Sequence, residues 1–268
     1  MAPKINKIGD LMLAEVFDLG GENFLYTEFH YIDEDDVVYH GQLKMDKLKI
    51  SLEQFKSALQ RIPDEELYAQ LPLDANYTLA SDDADENTFY FKRPNIFHYD
   101  RYKENDSLDS FPIMMLEEIK ALELVSQHPH PNIVKYHGCR VRRGRITAIV
   151  LDKHPQSLRD IADDNALGTL DREAFMAALE SAVKHLHSLG LAHNDINPRN
   201  ILVDANGMPV LADFGSCNRI GEKLGLSRGT RGWIEGDMKD YTTSEARHDT
   251  FAVEKIRAWL ENPDPPRS

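Results

Sequence analysis

Cysteine is scarce in this chain. Cys139 and Cys217 are the only two, too few for a disulfide framework, so a reducing intracellular compartment, cytosol or nucleus, is expected. Long apolar runs are also missing. No stretch of about eighteen apolar residues occurs, so no membrane-spanning helix is expected. The segment from Met1 to Phe17 lacks the apolar centre of a secretory signal. Basic residues fall short of acidic ones, 31 against 45, for a formal charge of −14. Nucleic acid and anionic membranes both attract basic surfaces, so neither is expected as a main partner. A nucleotide needs only local positive groups, and that balance leaves it open. His128, His130, His137 and His154 are scattered without metal-ligand spacing, so they predict no zinc site. Internal repeats and low-complexity segments are absent.

The apolar fraction of 41% is enough for a sizeable core, and 268 residues allow one large domain or two lobes. The chemistry concentrates between His193 and Gly215. His193-Asn194-Asp195-Ile196-Asn197-Pro198-Arg199-Asn200 leads into Ile201-Leu202-Val203. After Asp204-Ala205-Asn206-Gly207 comes a second apolar run to Ala212, then Asp213-Phe214-Gly215. Asn206-Gly207 between two apolar runs signals a hairpin, because both residues tolerate positive φ. Antiparallel strands return the chain to its starting end, so Asn200 and Asp213 are expected side by side. An amide oxygen and a carboxylate suit a hard cation such as Mg2+, often shared with bound phosphates. Asp195 precedes Asn200 by five residues and lies within reach as a base. That combination fits phosphoryl transfer.

Elsewhere, 23–32 and 37–45 read as strands joined by the polar turn Asp33-Glu34-Asp35-Asp36. A helix is predicted over 52–61, with Ser51 and Gln54 as a capping box and Pro63 ending it, then a short helix at 64–70. Thr88-Phe89-Tyr90-Phe91-Lys92 reads as a strand. A helix follows at 113–126, with Glu118, Leu122 and Val125 on one face. Strands are expected at 133–141 and 146–151. Helices are expected at 172–189, capped by Asp171 and stopped by Gly190, and at 250–261, for which Asp249 is a natural N-cap. Strands dominate early and helices late, which suits a two-lobed α+β architecture.

The loop pattern H-x-D-x-x-x-x-N followed by D-F-G resembles the signature pair of the protein kinase superfamily. The resemblance covers roughly residues 62–262. The runs His-Pro-His-Pro-Asn-Ile at 128–133, Tyr-His-Gly-Cys at 136–139, His-Asn-Asp-Ile-Asn-Pro at 193–198 and Gly-Thr-Arg-Gly-Trp at 229–233 are similar to a group of fungal kinase-like proteins. The resemblance implies a kinase-like fold with a small β-rich lobe and a truncated helical large lobe. It divides the chain into an N-terminal extension over 1–72, a small lobe and hinge over 73–154, and a large lobe over 155–268. It implies Asp195 as the catalytic base and Asn200 and Asp213 as Mg2+ ligands. It also implies Lys92 on the ATP phosphates, positioned by Glu118, with Glu117 as its adjacent competitor. Leu151 then lies behind the nucleotide, and Asp152, Lys153 and His154 form the hinge against adenine. His193 braces the loop, and Asp249 becomes the buried aspartate opening the central large-lobe helix.

Three departures limit that picture. Leu73 to Glu86 contains no glycine, where the family carries a glycine-rich phosphate loop, and Ser81-Asp82-Asp83-Ala84-Asp85-Glu86 puts four acids there. Asn197 stands where serine/threonine kinases commonly carry a lysine that stabilises charge on the transferred group. The chain ends nineteen residues after Asp249, and Glu235 is only a loose substitute for the family's Ala-Pro-Glu motif. The five side chains Lys92, Glu118, Asp195, Asn200 and Asp213 favour an ATP- and Mg2+-dependent phosphotransferase acting on a protein or small-molecule hydroxyl. The departures favour a pseudokinase scaffold, and Asn197 with the missing later helices suggests a small-molecule kinase.

Overall fold

The computed structural model describes residues 3–18, 20–72 and 76–263. The expected small-lobe start at 73–75 falls outside them. Four antiparallel strands run in the order β1-β2-β3-β4: β1 (Met12–Phe17), β2 (Phe24–Ile32), β3 (Val38–Leu43) and β4 (Gln60–Arg61). Successive strand residues face opposite sides, and β2 uses this fully. Phe29 faces the apolar cluster of Ile5, Leu11, Ile50 and Phe55, meeting Phe55 edge-on at 4.8 Å. Its cross-strand partner is Gly41, where a Cβ would lie 2.6 Å from the Phe29 ring, so only glycine leaves room for that ring. Glu28 and His30 face the other way, and His40 is the direct partner of His30. All three are buried. Burial, and then His40, pull the His30 pKa down to about 4.

Helix α1 (Leu52–Ala58) starts at the predicted capping box: Gln54 N donates to Ser51 Oγ, and Ser51 N to Gln54 Oε1. It stops three residues short of expectation. Gln60 and Arg61 leave the helix to pair with His40 and Tyr39 as β4, so strand pairing overrides the helical spacing. Helix α2 (Asp64–Leu67) is correspondingly short. Helix α3 (Tyr99–Glu104), unanticipated from the sequence, begins after His98 in the left-handed region at φ 66. Asp36 anchors this part of the chain: its carboxylate accepts from Arg93 at 2.8 Å and from Thr147 Oγ1 at 2.7 Å. By proximity these elements form one compact unit: the N-terminal residues with Arg93–Ile113 and Val141–Thr147.

The second unit holds Asn76–Lys92, Met114–Arg140 and the chain from Ala148 onward. Its first sheet runs β5-β7-β6, comprising β5 (Phe89–Lys92), β6 (Tyr136–Arg142) and β7 (Arg145–Asp152). β5 pairs antiparallel with β7, setting Tyr90 opposite Leu151 and Lys92 opposite Ile149. Helix α4 (Ser110–Ser126) begins before the predicted position, with Pro112 inside the first turn, where a missing N–H costs nothing. Strand β8 (Gln156–Ser157) leads into α5 (Leu158–Asp163), another helix the sequence did not announce. Helix α6 (Arg172–Ser188) is the predicted one, capped by Asp171 Oδ1 accepting from Ala174 N and burying Phe175, Leu179, Ala182, Val183 and Leu186. After β9 (Leu191–Ala192) come β10 (Ile201–Val203), β11 (Pro209–Leu211), β12 (Asn218–Arg219) and α7 (Ala246–Glu261). Among the described residues, no helix is long and apolar enough to cross a membrane.

Candidate active site

The hairpin β10–β11 forms in the register Ile201↔Leu211, Leu202↔Val210 and Val203↔Pro209. Its loop works differently from the dipeptide expectation. Asp204 Oδ1 accepts from Asn206 N and Met208 N, and of the pair only Gly207 takes positive φ, at 77°. The functional consequence is the expected one. Ala212 N donates to Asn200 O at 2.9 Å, so Asn200 and Asp213 flank the open end of the hairpin.

Asp213 sits in the left-handed region at φ 62. Its Oδ1 accepts from Lys92 Nζ at 2.8 Å, and the same ammonium meets Glu118 Oε2 at 2.6 Å. Glu118 Oε1 also accepts from Phe214 N at 3.0 Å, which ties helix α4 to the Asp-Phe-Gly segment. One cation thus joins two carboxylates from distant parts of the sequence. Burial lowers the Lys92 pKa, but the charges of Glu118 and Asp213 outweigh it and the net shift is upward. Burial likewise pushes Asp213 up, yet Lys92 holds it below the usual carboxylate range. Glu118 is raised, because burial exceeds the relief from Lys92. Glu117 faces elsewhere, toward Gly225.

The Asp195 carboxylate is gripped from both sides. Asn197 Nδ2 donates to Oδ1 at 3.0 Å, and Asn200 Nδ2 to Oδ2 at 3.0 Å. Burial raises its pKa against hydrogen bonding from Thr230 and Asn197. His193 is fully buried, donates from Nε2 to Ala212 O at 3.0 Å, and meets the Phe214 ring edge-on at 5.1 Å, which is the bracing position expected of it. Asp249 is not the helix N-cap; Glu245 occupies that position and Asp249 lies in the first turn of α7. Its buried carboxylate accepts from His193 N and Asn194 N, each at 2.8 Å, and from His187 Nε2 at 2.9 Å.

Asn194, Thr230 and His187 escaped the sequence reading. Asn194 occupies positive φ and donates from Nδ2 to Ala192 O, Ser216 O and Ser244 Oγ, so it locks the loop from beneath. Its place inside the His-x-Asp pattern was the available signal. Thr230 Oγ1 accepts from Asn197 Nδ2 at 3.2 Å; the Gly-Thr-Arg-Gly-Trp run marks its position but not this contact.

Lys92, Asn200, Asp213, Asp152 and His154 line one cavity of about 350 Å³, together with Tyr90, Val134, Leu151 and Leu202. Asp195 is not in its lining but is joined to it through Asn200. Asp152 N donates to Lys135 O at 3.0 Å and its carboxylate pairs with His137 at 2.6 Å. The donor set fits a hard divalent cation. Asn200 commits its amide nitrogen to Asp195, leaving Oδ1 as acceptor, and Asp213 stays ionised. None of Ser81 to Glu86 lines the cavity. Residues 78–80 run instead along β6, through Cys139 N to Thr78 O and Ala80 N to Cys139 O. Among the described residues β5 is therefore an edge strand of its sheet, with no strand pair before it.

Comparison with known proteins finds protein kinases. The serine/threonine-protein kinase/endoribonuclease IRE1 of Hypocrea jecorina is 34% identical over 122 residues, 39% of this chain and 10% of that protein. Mitogen-activated protein kinase kinase kinase 5 of Arabidopsis thaliana is 34% identical over 131 residues, 46% of this chain and 18% of that protein. The serine/threonine-protein kinase SSK22 of Saccharomyces cerevisiae is 32% identical over 111 residues, 41% of this chain and 8% of that protein. The matched region thus spans less than a fifth of each of these relatives. The profile of the protein kinase domain matches residues 94–259, more than half of the chain, and the chain belongs to that family.

Proposed function

We propose that this chain is an ATP-dependent phosphotransferase that moves a γ-phosphate to a hydroxyl. The observation that carries the proposal is the charge cluster Lys92–Glu118–Asp213, closed at 2.6–2.8 Å, beside the loop that holds Asp195. When bound, ATP with Mg2+ supplies the phosphoryl group and neutralises charge developing on it. Lys92 holds the phosphates and Glu118 fixes Lys92. Asn200 and Asp213 hold the cation. Leu151, the Asp152 carbonyl and His154 border the adenine. Asp195 orients the acceptor hydroxyl and takes its proton, and burial raises its pKa in the direction that helps a base near neutral pH. Both cysteines are free and buried, which fits a reducing compartment. The same reading keeps 1–72 as an N-terminal extension, supported by the separate apolar cluster around Phe29 and Phe55, with small lobe and hinge over 73–154 and large lobe over 155–268.

The test is Asp195→Ala. Phosphate transfer is expected to fall about 10²–10⁴-fold with the circular dichroism spectrum unchanged; undiminished transfer overturns the mechanism. Asp213→Ala is expected to remove the Mg2+-dependent rise in melting temperature with ATP.

A second reading, a pseudokinase scaffold, is favoured by the edge position of β5, because among the described residues no strand pair precedes it to cover bound phosphates. No melting-temperature shift at millimolar ATP selects it. A small-molecule kinase is favoured by Asn197, which brings a hydrogen bond to Asp195 instead of a charge. Transfer to small hydroxyl compounds but not to generic protein selects that one.

A further inference from the structure

Glu28, His30 and His40 form a buried cluster that the kinase chemistry does not use. Each offers one ligand atom, and the three atoms lie within 4.8 Å of one another. Glu28 and His30 are two apart on β2 and so share a face, and His40 sits directly across on β3. Relative exposures are 1%, 1% and 7%. Four side-chain atoms here are buried with no hydrogen-bond partner: Glu28 Oε2, His30 Nδ1, His30 Nε2 and His40 Nδ1. Buried polar atoms are ordinarily paired, and an unmet group commonly marks a missing water or ion.

The surroundings orient these atoms as metal ligands are usually oriented. His40 Nε2 lies 2.9 Å from Asp100 Oδ2. That carboxylate accepts a hydrogen bond from Nε2–H, so the Nδ1 lone pair faces Glu28, 3.8 Å away. Carboxylate–histidine–metal relays are built this way. Glu28 Oε1 accepts from His98 N at 2.7 Å, fixing that carboxylate and leaving Oε2 free. Phe97 packs edge-on against the His30 ring at 4.3 Å and excludes solvent. His98 Nδ1 stands 3.8 Å from Glu28 Oε2, the nearest further imidazole at the rim.

We propose that Glu28, His30 and His40 bind a divalent transition-metal ion, Zn2+ by ligand chemistry. Two imidazoles and one carboxylate are a zinc donor set, bonded at about 2.0–2.2 Å. Ligands so held lie roughly 3–4 Å apart, so the cluster, now within 4.8 Å, contracts by at most about 2 Å on binding. Mg2+ takes oxygen ligands and keeps its waters, which excludes it here. Three protein ligands leave the fourth position to water, and the buried ion clamps β2 to β3 and, through Asp100, to the start of α3.

The experiment titrates the full chain, stripped with chelator, with Zn2+ and with Co2+. Stoichiometric Zn2+ uptake and a melting temperature that rises with Zn2+ concentration are expected. The Co2+ form is expected to show visible ligand-field bands without thiolate charge transfer. Glu28→Gln and His30→Gln are expected to lose binding at least tenfold, whereas Asp213→Asn in the kinase site leaves it unchanged. Absence of stoichiometric uptake, or uptake that survives both cluster substitutions, overturns the site. Should the substituted chains fail to fold, X-ray absorption of the wild-type Zn2+ form decides: imidazole scattering supports the site, and a shell without imidazole overturns it.

Discussion

Each of the two compact units holds a small polar cluster, and the two are balanced in opposite ways. Around Lys92, one ammonium meets two carboxylates, and Phe214 N and Gly215 N supply further hydrogen bonds. Around His30, a carboxylate and two imidazoles face one another with four atoms unmatched. The first cluster has a cation of its own, Lys92, between its two carboxylates. The second is short of a cation. Burial alone therefore says little about a polar cluster; the sum of its donors, acceptors and charges says what completes it.

Three substitutions test that contrast. The largest effect is expected from Lys92→Met. It leaves Glu118 and Asp213 facing each other without a cation and should cost about 2 kcal/mol in urea denaturation, below the roughly 3–5 kcal/mol of a broken buried pair because Lys92 and Asp213 are partly exposed. A neutral result would place the pair among solvent-screened surface bridges. Next is Gly138→Ala. Gly138 has φ 114, and a Cβ there would lie 2.6 Å from Ala80 N, so the change should cost roughly 2 kcal/mol and release residues 78–80 from β6. Faster hydrogen exchange at Ala80 N would report that release. The smallest effect has the opposite sign. In the presence of chelator, His30→Leu should stabilise the chain by about 1 kcal/mol, because it replaces two orphaned ring nitrogens with an apolar group of similar size. Destabilisation in chelator would mean that those nitrogens have partners and that the contrast between the clusters is false.

Much of the kinase half was legible because its determinants are local or periodic. The β-branched and aromatic run before Lys92, the stripe on α6, the hairpin after Asn200 and the shared face of Glu118 and Leu122 are all visible in short windows. The mixed α+β fold followed from the order of those elements. What escaped depends on partners far along the chain. Gln60 and Arg61 look helical until His40 and Tyr39 claim them for β4. Helix α3 starts from a left-handed His98 that no propensity favours. Asp249 fits an N-cap equally well by spacing; the family resemblance implied its burial, but its partners, the backbone of His193 and Asn194, lie 56 and 55 residues earlier. The acidic run at 81–86 looked like an obstacle to a polyanion, but pairing of 78–80 with β6 keeps it out of the cavity lining. The His30 cluster combines a two-residue spacing on one strand with a cross-strand register, which the sequence shows only once the strands are aligned.

The Asp249 carboxylate also sets an order of events in folding. Two backbone N–H groups of the loop carrying Asp195 are satisfied only when α7 has formed and docked. Closing a loop of that length is entropically costly and slow compared with forming the β10–β11 hairpin. The hairpin that brackets Asn200 and Asp213 is thus an early structure, and the loop beside it matures late. In a pulsed hydrogen-exchange experiment, His193 N and Asn194 N should gain protection together with α7 and after Ala212 N.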